Sequence, residues 1–179
     1  MAHLRPAPEW DISGWLNTEA PLSLAQLRGR PIVAAAFQML CPGCVEHLIP
    51  QLKRVRQLFH EDQVAVIGLH SVFEHHVAMG EASLRAFLHE YKVTFPVAID
   101  RHSAGPIPET MRTYNFQGTP TLMLIDAAGL LRRQTFGHIP DLQLGAEIMS
   151  LRQEQAAAIV AAHERATDGA RCEVGAGTC

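Results

Sequence analysis

Two cysteines, Cys41 and Cys44, are separated only by Pro42 and Gly43, and they are the residues of this chain best suited to do chemistry. Cysteines at positions i and i+3 of the first turn of a helix lie on one face, close enough to form a disulfide. At a helix N-terminus the first sulfur can accept main-chain N–H groups, and the helix dipole favours its thiolate. The spacing therefore predicts disulfide exchange, in which Cys41 attacks a disulfide and Cys44 resolves the mixed disulfide.

The residues around this motif predict the elements that must position it. A continuous apolar run over 31–37 indicates a buried strand directly before Cys41, and apolar residues at helical spacing over 45–59 indicate a helix directly after the motif. A second apolar run over 63–69 completes a strand–helix–strand unit with a parallel crossover. Because parallel strands end at the same edge of a sheet, the loop 70–76 is expected beside Cys41.

The rest of the chain predicts an α/β domain with a mixed central sheet flanked by helices. Its further elements are a helix over 81–92, a strand over 95–100, a strand–turn–strand over 121–136 and a long helix over 141–167. We expect three segments: an N-terminal extension, 1–21, held on the domain by two tryptophans, the domain itself, 22–152, and a C-terminal helix extension with a flexible tail, 153–179.

Composition and charge limit the classes of partner. The chain has 179 residues, with 15 Lys and Arg against 18 Asp and Glu, a net charge of −3 and no basic run, so no nucleic-acid partner is expected. No apolar stretch approaches the roughly 18 residues of a membrane span, so no membrane partner is expected. Residues 1–15 lack the apolar run of a signal peptide. This predicts a cytoplasmic location, where thiols stay reduced unless they are working.

Metal binding is the main alternative use of these cysteines. A C-x-x-C motif can be half of a zinc site, but it needs a second pair of ligands, and Cys172 and Cys179 have the wrong spacing. We interpret these two as free thiols on a disordered end, with a second exchanging dithiol as the alternative. The loop 70–76 contains three histidines and Glu74, which indicates an acid–base site, a metal site or a polar loop. No metal and no cofactor are assigned.

Several segments taken together resemble a known family. The C-P-G-C motif after its strand, F-P-V-A-I-D at 95–100 and G-T-P-T at 118–121 resemble thioredoxin-superfamily thiol-disulfide oxidoreductases of the TlpA/ResA type, a redoxin (AhpC/TSA-type) family. The resemblance covers roughly residues 8–152. It implies a thioredoxin-like fold with an inserted strand and helix around 72–98. It also implies a cis peptide bond between Thr119 and Pro120 that faces the cysteines and offers main-chain groups to a substrate.

The sequence departs from this family where protons are handled. Leu40 replaces the tryptophan that often precedes the first cysteine, and Ala35 replaces the buried aspartate of thioredoxins. His47 stands where ResA-like members carry glutamate, and the helix proline, Pro50, comes one residue later than usual. His47 follows Cys44 by three residues and so shares its helix face, which predicts that the imidazole exchanges a proton with the resolving thiol. A packing or surface histidine is the alternative.

These observations predict a dithiol/disulfide oxidoreductase that reduces protein or small-molecule disulfides. Cys41, Cys44 and His47 are its predicted catalytic residues, and Thr119 and Pro120 its predicted substrate-binding residues. The expected partners are a disulfide substrate and a cellular thiol reductant, and the sequence leaves the oligomeric state open. A thiol peroxidase related to peroxiredoxins is one alternative, although Ala34 and Gln38 replace the proline and threonine of the P-x-x-x-T-x-x-C pattern. A metal-binding or redox-sensing module on the same fold is the other.

Overall fold

A seven-stranded mixed sheet with helices on both faces forms the centre of the protein. The computed structural model describes residues 5–103 and 105–173, with 166–173 as main chain only. The strands are β1 (Arg5–Pro6), β2 (Ile12–Leu16), β3 (Ile32–Phe37), β4 (Ala65–His70), β5 (Val97–Asp100), β6 (Thr121–Ile125) and β7 (Leu130–Phe136). The helices are α1 (Leu24–Leu27), α2 (Ile49–Leu58), α3 (Glu81–Glu90), α4 (Glu109–Tyr114) and α5 (Asp141–Glu173), and a π-helical turn, Cys44–Leu48, precedes α2.

The strand order in the sheet is β1-β7-β6-β3-β4-β5-β2. Strand β3 pairs in parallel with β4, as the crossover argument predicts, and β4 also pairs in parallel with β5. On its other side β3 pairs antiparallel with β6, which continues into the hairpin partner β7. This is a thioredoxin-like fold, and the fold class predicted from the sequence is confirmed.

Strand β3 is buried on both faces because the sheet separates two apolar clusters. Val33, Ala35 and Phe37 face the cluster formed with α2, α3 and α5, which also contains Cys44. The alternate residues, Ile32, Ala34 and Ala36, face the cluster formed with α1 and α4. Burial of one large aliphatic or aromatic side chain stabilises a fold by ~1.5–3 kcal/mol, so this double cover fixes the strand that leads into the motif.

The N-terminal segment contributes two strands that the sequence did not predict. Strand β2 pairs antiparallel with β5 at one edge of the sheet, with a register shift near Gly14, and β1 pairs with β7 at the other edge. The Trp10 side chain is buried in the second cluster, and its ring centroid lies 6.5 Å from that of Trp15. Glycine and mixed polarity weaken the strand pattern of β2, and its partner lies far away in the sequence.

Helix α5 is 33 residues long and begins at Asp141, as predicted. It extends beyond the expected end at Thr167 because a single glycine inside a helix costs only ~1 kcal/mol and does not have to stop it. Its first half packs on the domain through Leu144, Ile148 and Leu151, and Ile159 and Val160 further along are exposed. No helix in the described part of the chain is both long and apolar enough to cross a membrane.

Candidate active site

The two cysteines of the motif lie at the end of β3, where the first helix of the crossover begins. Helical conformation starts at Pro42, directly after Cys41. The side chain of Cys41 is partly exposed, whereas Cys44 is fully buried in the cluster under α2. Their sulfur atoms lie 2.7 Å apart, and both thiols are free. One reactive sulfur therefore faces solvent, and the second lies directly behind it.

The Cys41 sulfur has the helix-capping contacts expected from its position. The main-chain N–H of Cys44 donates to Cys41 Sγ at 3.3 Å, and the Cys41 thiol in turn donates to the main-chain oxygen of Thr119 at 3.4 Å. The carbonyl of Cys41 accepts from the N–H groups of Cys44 and Val45. An N–H donor and the positive end of the helix dipole both stabilise negative charge on sulfur.

The environment of Cys44 keeps that thiol protonated. Burial, together with the neighbouring Cys41 thiol, raises the pKa of Cys44 to about 12. Hydrogen bonds from the Gln38 main chain and the Thr119 side chain act in the opposite direction and lower this pKa. The thiolate is the attacking species in disulfide exchange. Since Cys44 is held as a thiol, Cys41 is the residue expected to make the first attack.

The extra residue before Pro50 is accommodated in the π-helical turn. The N–H of Ile49 donates to the carbonyl of Cys44, five residues back, instead of to the carbonyl four residues back. Such a turn takes in one inserted residue while the helix continues on both sides. Pro50 lacks an N–H and follows at once as the second residue of α2.

The same π-helical turn determines where His47 lies. Residues three apart lie on the same face of an α-helix. In the wider π turn their side chains point in more different directions around the helix axis. The His47 side chain is exposed, and its ring centroid lies 5.4 Å from that of His138. The side-chain hydrogen bonds of the described residues do not join His47 to Cys44. Its proton-transfer role stays a prediction.

The loop before β6 closes the site on the side of the Cys41 sulfur. The bond between Thr119 and Pro120 is cis, as the resemblance implies, and both side chains are partly exposed. A Cβ atom built on Gly43 would lie 3.5 Å from Pro120 Cδ, so the loop and the motif are in close contact. The carbonyl of Pro120 accepts from the Gly137 N–H at 2.8 Å, which ties the loop to the segment after β7.

Gln38 is a member of the site that the sequence reasoning missed. It is 1% exposed and lies between β3 and the motif. Its Nε2 lies 3.4 Å from Thr119 Oγ1 and 3.5 Å from Glu74 Oε1, and its Oε1 accepts from the Phe73 N–H at 3.3 Å. Its one sequence signal is a long polar side chain directly after an unbroken apolar strand, because a buried amide requires partners.

The histidine-rich loop, 70–76, lies beside the motif, as the crossover argument predicts. Gln38, three residues before Cys41, contacts this loop at Phe73 and Glu74. His70, at the end of β4, is buried with its ring 5.4 Å from that of Phe37, and burial lowers the pKa of His70 to about 4. His75 and His76 are exposed. Among residues 5–103 and 105–165, no three His, Cys, Asp or Glu side chains are grouped to hold a metal ion.

The two tail cysteines, interpreted from the sequence as free thiols with a second dithiol as the alternative, lie outside the described side chains. Helix α5 includes the main chain of Cys172, and Cys179 follows it in the sequence. The side chain of Cys172 and all of Cys179 lie outside the part of the chain that the structure describes.

A thioredoxin-like fold with a cysteine pair at the start of the crossover helix defines the class of thiol-disulfide oxidoreductases. The family model for redoxins matches residues 5–142 of this sequence. The chain therefore belongs to the redoxin family, and the family resemblance read from the sequence is confirmed.

Solved structures support this placement. The chain is similar to a thioredoxin-like superfamily protein, SPOA0173, at 56% identity and a TM-score of 0.81, with 82% of this chain and 96% of that chain covered. It is also similar to a thiol-disulfide isomerase from Corynebacterium glutamicum, at 45% identity and a TM-score of 0.78, with 82% of this chain and 95% of that chain covered.

A curated relative matches a shorter part. NHL repeat-containing protein 2 from Gallus gallus is 33% identical over 89 residues, which are 48% of this chain and 12% of that protein. The chain thus spans a small fraction of the length of the curated relatives it matches.

Proposed function

We propose that the protein reduces disulfides through Cys41 and Cys44. The observation that carries the proposal is the pairing of a partly exposed, helix-capping Cys41 sulfur with the buried Cys44 thiol 2.7 Å behind it. Such a pair has one sulfur that meets a substrate and a second that is shielded from bulk disulfides but reaches the first.

The proposed reaction has two exchange steps. The Cys41 thiolate attacks one sulfur of the substrate disulfide, forms a mixed disulfide and displaces the other substrate sulfur, which takes a proton. Cys44 then gives up its proton and attacks Cys41 Sγ, so that a Cys41–Cys44 disulfide forms and the second substrate sulfur leaves as a thiol. The substrate gains two electrons and two protons, and a cellular thiol reductant restores the dithiol.

Thr119 and Pro120 are the proposed substrate-binding residues. The Thr119 carbonyl accepts from the Cys41 thiol, so a substrate sulfur bonded to Cys41 would lie next to this loop. Both residues are partly exposed and can contact an extended chain. The cytoplasmic location expected from the sequence is part of the proposal, because a reducing thiol pool there would return Cys41 and Cys44 to the dithiol form.

The experiment is to mix the reduced protein with a peptide that contains one disulfide and to separate the products by mass. We expect reduced peptide and one oxidised protein per peptide turned over. The Cys44→Ser variant should stop at a Cys41–peptide mixed disulfide, and Cys41→Ser should form none. An adduct on Cys44, or peptide reduction by the Cys41→Ser variant at the parent rate, would overturn the assignment. Trapping with Cys44→Ser in a cell lysate then identifies the substrate.

A further inference from the structure

The side chain of Gln38 connects three loops that meet at the dithiol. It leaves β3 just before the motif, and it contacts the loop after β4 at Phe73 and Glu74 and the loop before β6 at Thr119. It is 1% exposed, so each of its polar atoms must find a partner inside the protein.

The partners of Gln38 fix the orientation of its amide group. The Phe73 main-chain N–H can only donate, so the amide atom that faces it is the oxygen Oε1. The nitrogen Nε2, which carries two protons, therefore faces Glu74 Oε1 and Thr119 Oγ1. A carboxylate accepts only, and it takes one of the two protons. The other proton is directed at the Thr119 hydroxyl oxygen.

A hydroxyl group that accepts from an amide has its own proton left to donate elsewhere. Thr119 lies at the dithiol, because its carbonyl oxygen is 3.4 Å from Cys41 Sγ, which is 2.7 Å from Cys44 Sγ. Its side chain lowers the pKa of Cys44, so the hydroxyl group favours the charged form of that sulfur. Donation from Gln38 Nε2 to Thr119 Oγ1 thus leaves the hydroxyl proton for Cys44 Sγ. A hydrogen bond to a charged atom is stronger than a neutral one, so this contact strengthens as the Cys44 thiolate forms.

We propose that Gln38 is a positioning residue for the second exchange step, because it orients the Thr119 hydroxyl to donate to the Cys44 sulfur as that sulfur attacks the mixed disulfide. The inference rests on the proposed reduction by Cys41 and Cys44. The oriented hydroxyl is a polar group near the buried Cys44, in a chain that has Ala35 where thioredoxins place an aspartate. The first attack does not use Cys44, so Gln38 acts mainly on release.

The test is stopped-flow kinetics with a small aromatic disulfide as the probe, which resolves the attack by Cys41 from the release by Cys44. In Gln38→Met, which keeps the length of the side chain and removes its hydrogen bonds, we expect release to slow about tenfold and attack to change less than twofold. Thr119→Val should slow release to a similar extent, because it removes the hydroxyl and keeps the carbonyl. Thr119→Ser, which restores a hydroxyl, should recover most of the rate.

The double variant Gln38→Met/Thr119→Val should be no slower than Thr119→Val alone, because both changes remove the same contact. Gln51→Met is the matched control. Gln51 is also buried, and its Nε2 donates to the Ile139 carbonyl and to Asp141 Oδ1, both at 2.7 Å, but it has no contact with the dithiol. It should leave both phases at parent values even if the protein unfolds at a lower denaturant concentration.

Three results would overturn the inference. These are a parent release rate in Gln38→Met, equal slowing of attack and release, and additive effects of the two substitutions. If Gln38→Met fails to fold, the Thr119→Val and Thr119→Ser pair still decides, since equal release rates in these two variants contradict the hydroxyl contact. A parent protein that shows neither phase would overturn the proposed function as well, which distinguishes the two failures.

Discussion

The Cys44 thiol lies 2.7 Å from the Cys41 sulfur and is fully buried, while Cys41 is partly exposed. Two chemically identical side chains three residues apart are thereby made unequal, because one caps the helix and the other points into the core. Burial and the Cys41 thiol raise the pKa of Cys44 to about 12, so Cys44 stays protonated and is the less reactive of the two thiols.

Alkylation should distinguish the two thiols. At pH 7, iodoacetamide should label Cys41 well before Cys44, because only thiolates react and Cys44 is both buried and protonated. Peptide mapping after short reaction times gives the order. In Cys41→Ser, Cys44 should remain slow at this pH, and faster labelling of Cys44 than of Cys41 in the parent would reverse the assigned roles.

If His47 has the predicted acid–base role, its removal should affect only the second step, in which Cys44 releases the substrate from the mixed disulfide. His47→Ala should slow release from the mixed disulfide by ~10²-fold, the low end for one positioned acid–base group, and leave the attack by Cys41 unchanged. His138→Ala is the matched control, because the ring of His138 lies 5.4 Å from that of His47 and both are exposed. Equal release rates in His47→Ala and the parent would show that His47 is a surface residue.

Buried His70 should make the stability of the protein depend on pH. Burial lowers its pKa in the folded state to about 4, while the unfolded value is about 6.5. Between these values the unfolded chain binds more protons, so stability is fully present above pH ~6.5 and falls as the pH drops to 4. The loss approaches ~3 kcal/mol, from the difference in pKa at ~1.4 kcal/mol per unit.

Urea unfolding of the parent and of His70→Asn at pH 7 and pH 5 measures this loss. The parent should lose more stability than the variant over this interval. Burial raises the pKa of Asp100, which acts in the opposite direction at lower pH and is common to both proteins, so it cancels in the comparison. His89→Asn, at an exposed histidine on α3, should behave as the parent does. The same pH dependence in His70→Asn and the parent would contradict the assignment.

Two glycines should respond in opposite ways to substitution by alanine. Gly118 has φ +155°, and a Cβ atom there would lie 3.0 Å from the ring of Phe136, so Gly118→Ala should destabilise the protein by ~1–3 kcal/mol. Gly145 lies inside α5 with nothing within 4 Å of an added Cβ, so Gly145→Ala should stabilise it by ~1 kcal/mol. Denaturant midpoints of both variants check the two signs.

The fold could be predicted largely because its central elements have strong local signals. Strands β3 and β4 are unbroken apolar runs, and the spacing of apolar residues defines the helix between them. Strand β2 was missed because it forms only through its pairing with β5, which is far away in the sequence. Periodicity cannot report such a partner.

The site was predicted in part, for a related reason. The cysteine pair is a short motif in the sequence, and the cis Thr119–Pro120 bond is what the family resemblance implies. The contacts of Gln38 depend on three loops that meet only after the sheet forms, so nothing near it in sequence indicates its partners. For His47, the helical spacing assumed an α-helix, and the π-helical turn changes the direction of each side chain in it.

The π-helical turn Cys44–Leu48 lies between the helix end that carries the cysteines and α2, which packs on the sheet. If the same residues ran as an unbroken α-helix, the cysteine end would turn by ~100° relative to α2, the angle of one residue in an α-helix. Because Ile49, Leu52 and Val55 are anchored in the core, the rotation would fall on the reactive end. The π-helical turn therefore sets the rotational register of the dithiol, independently of the packing that holds the helix on the sheet.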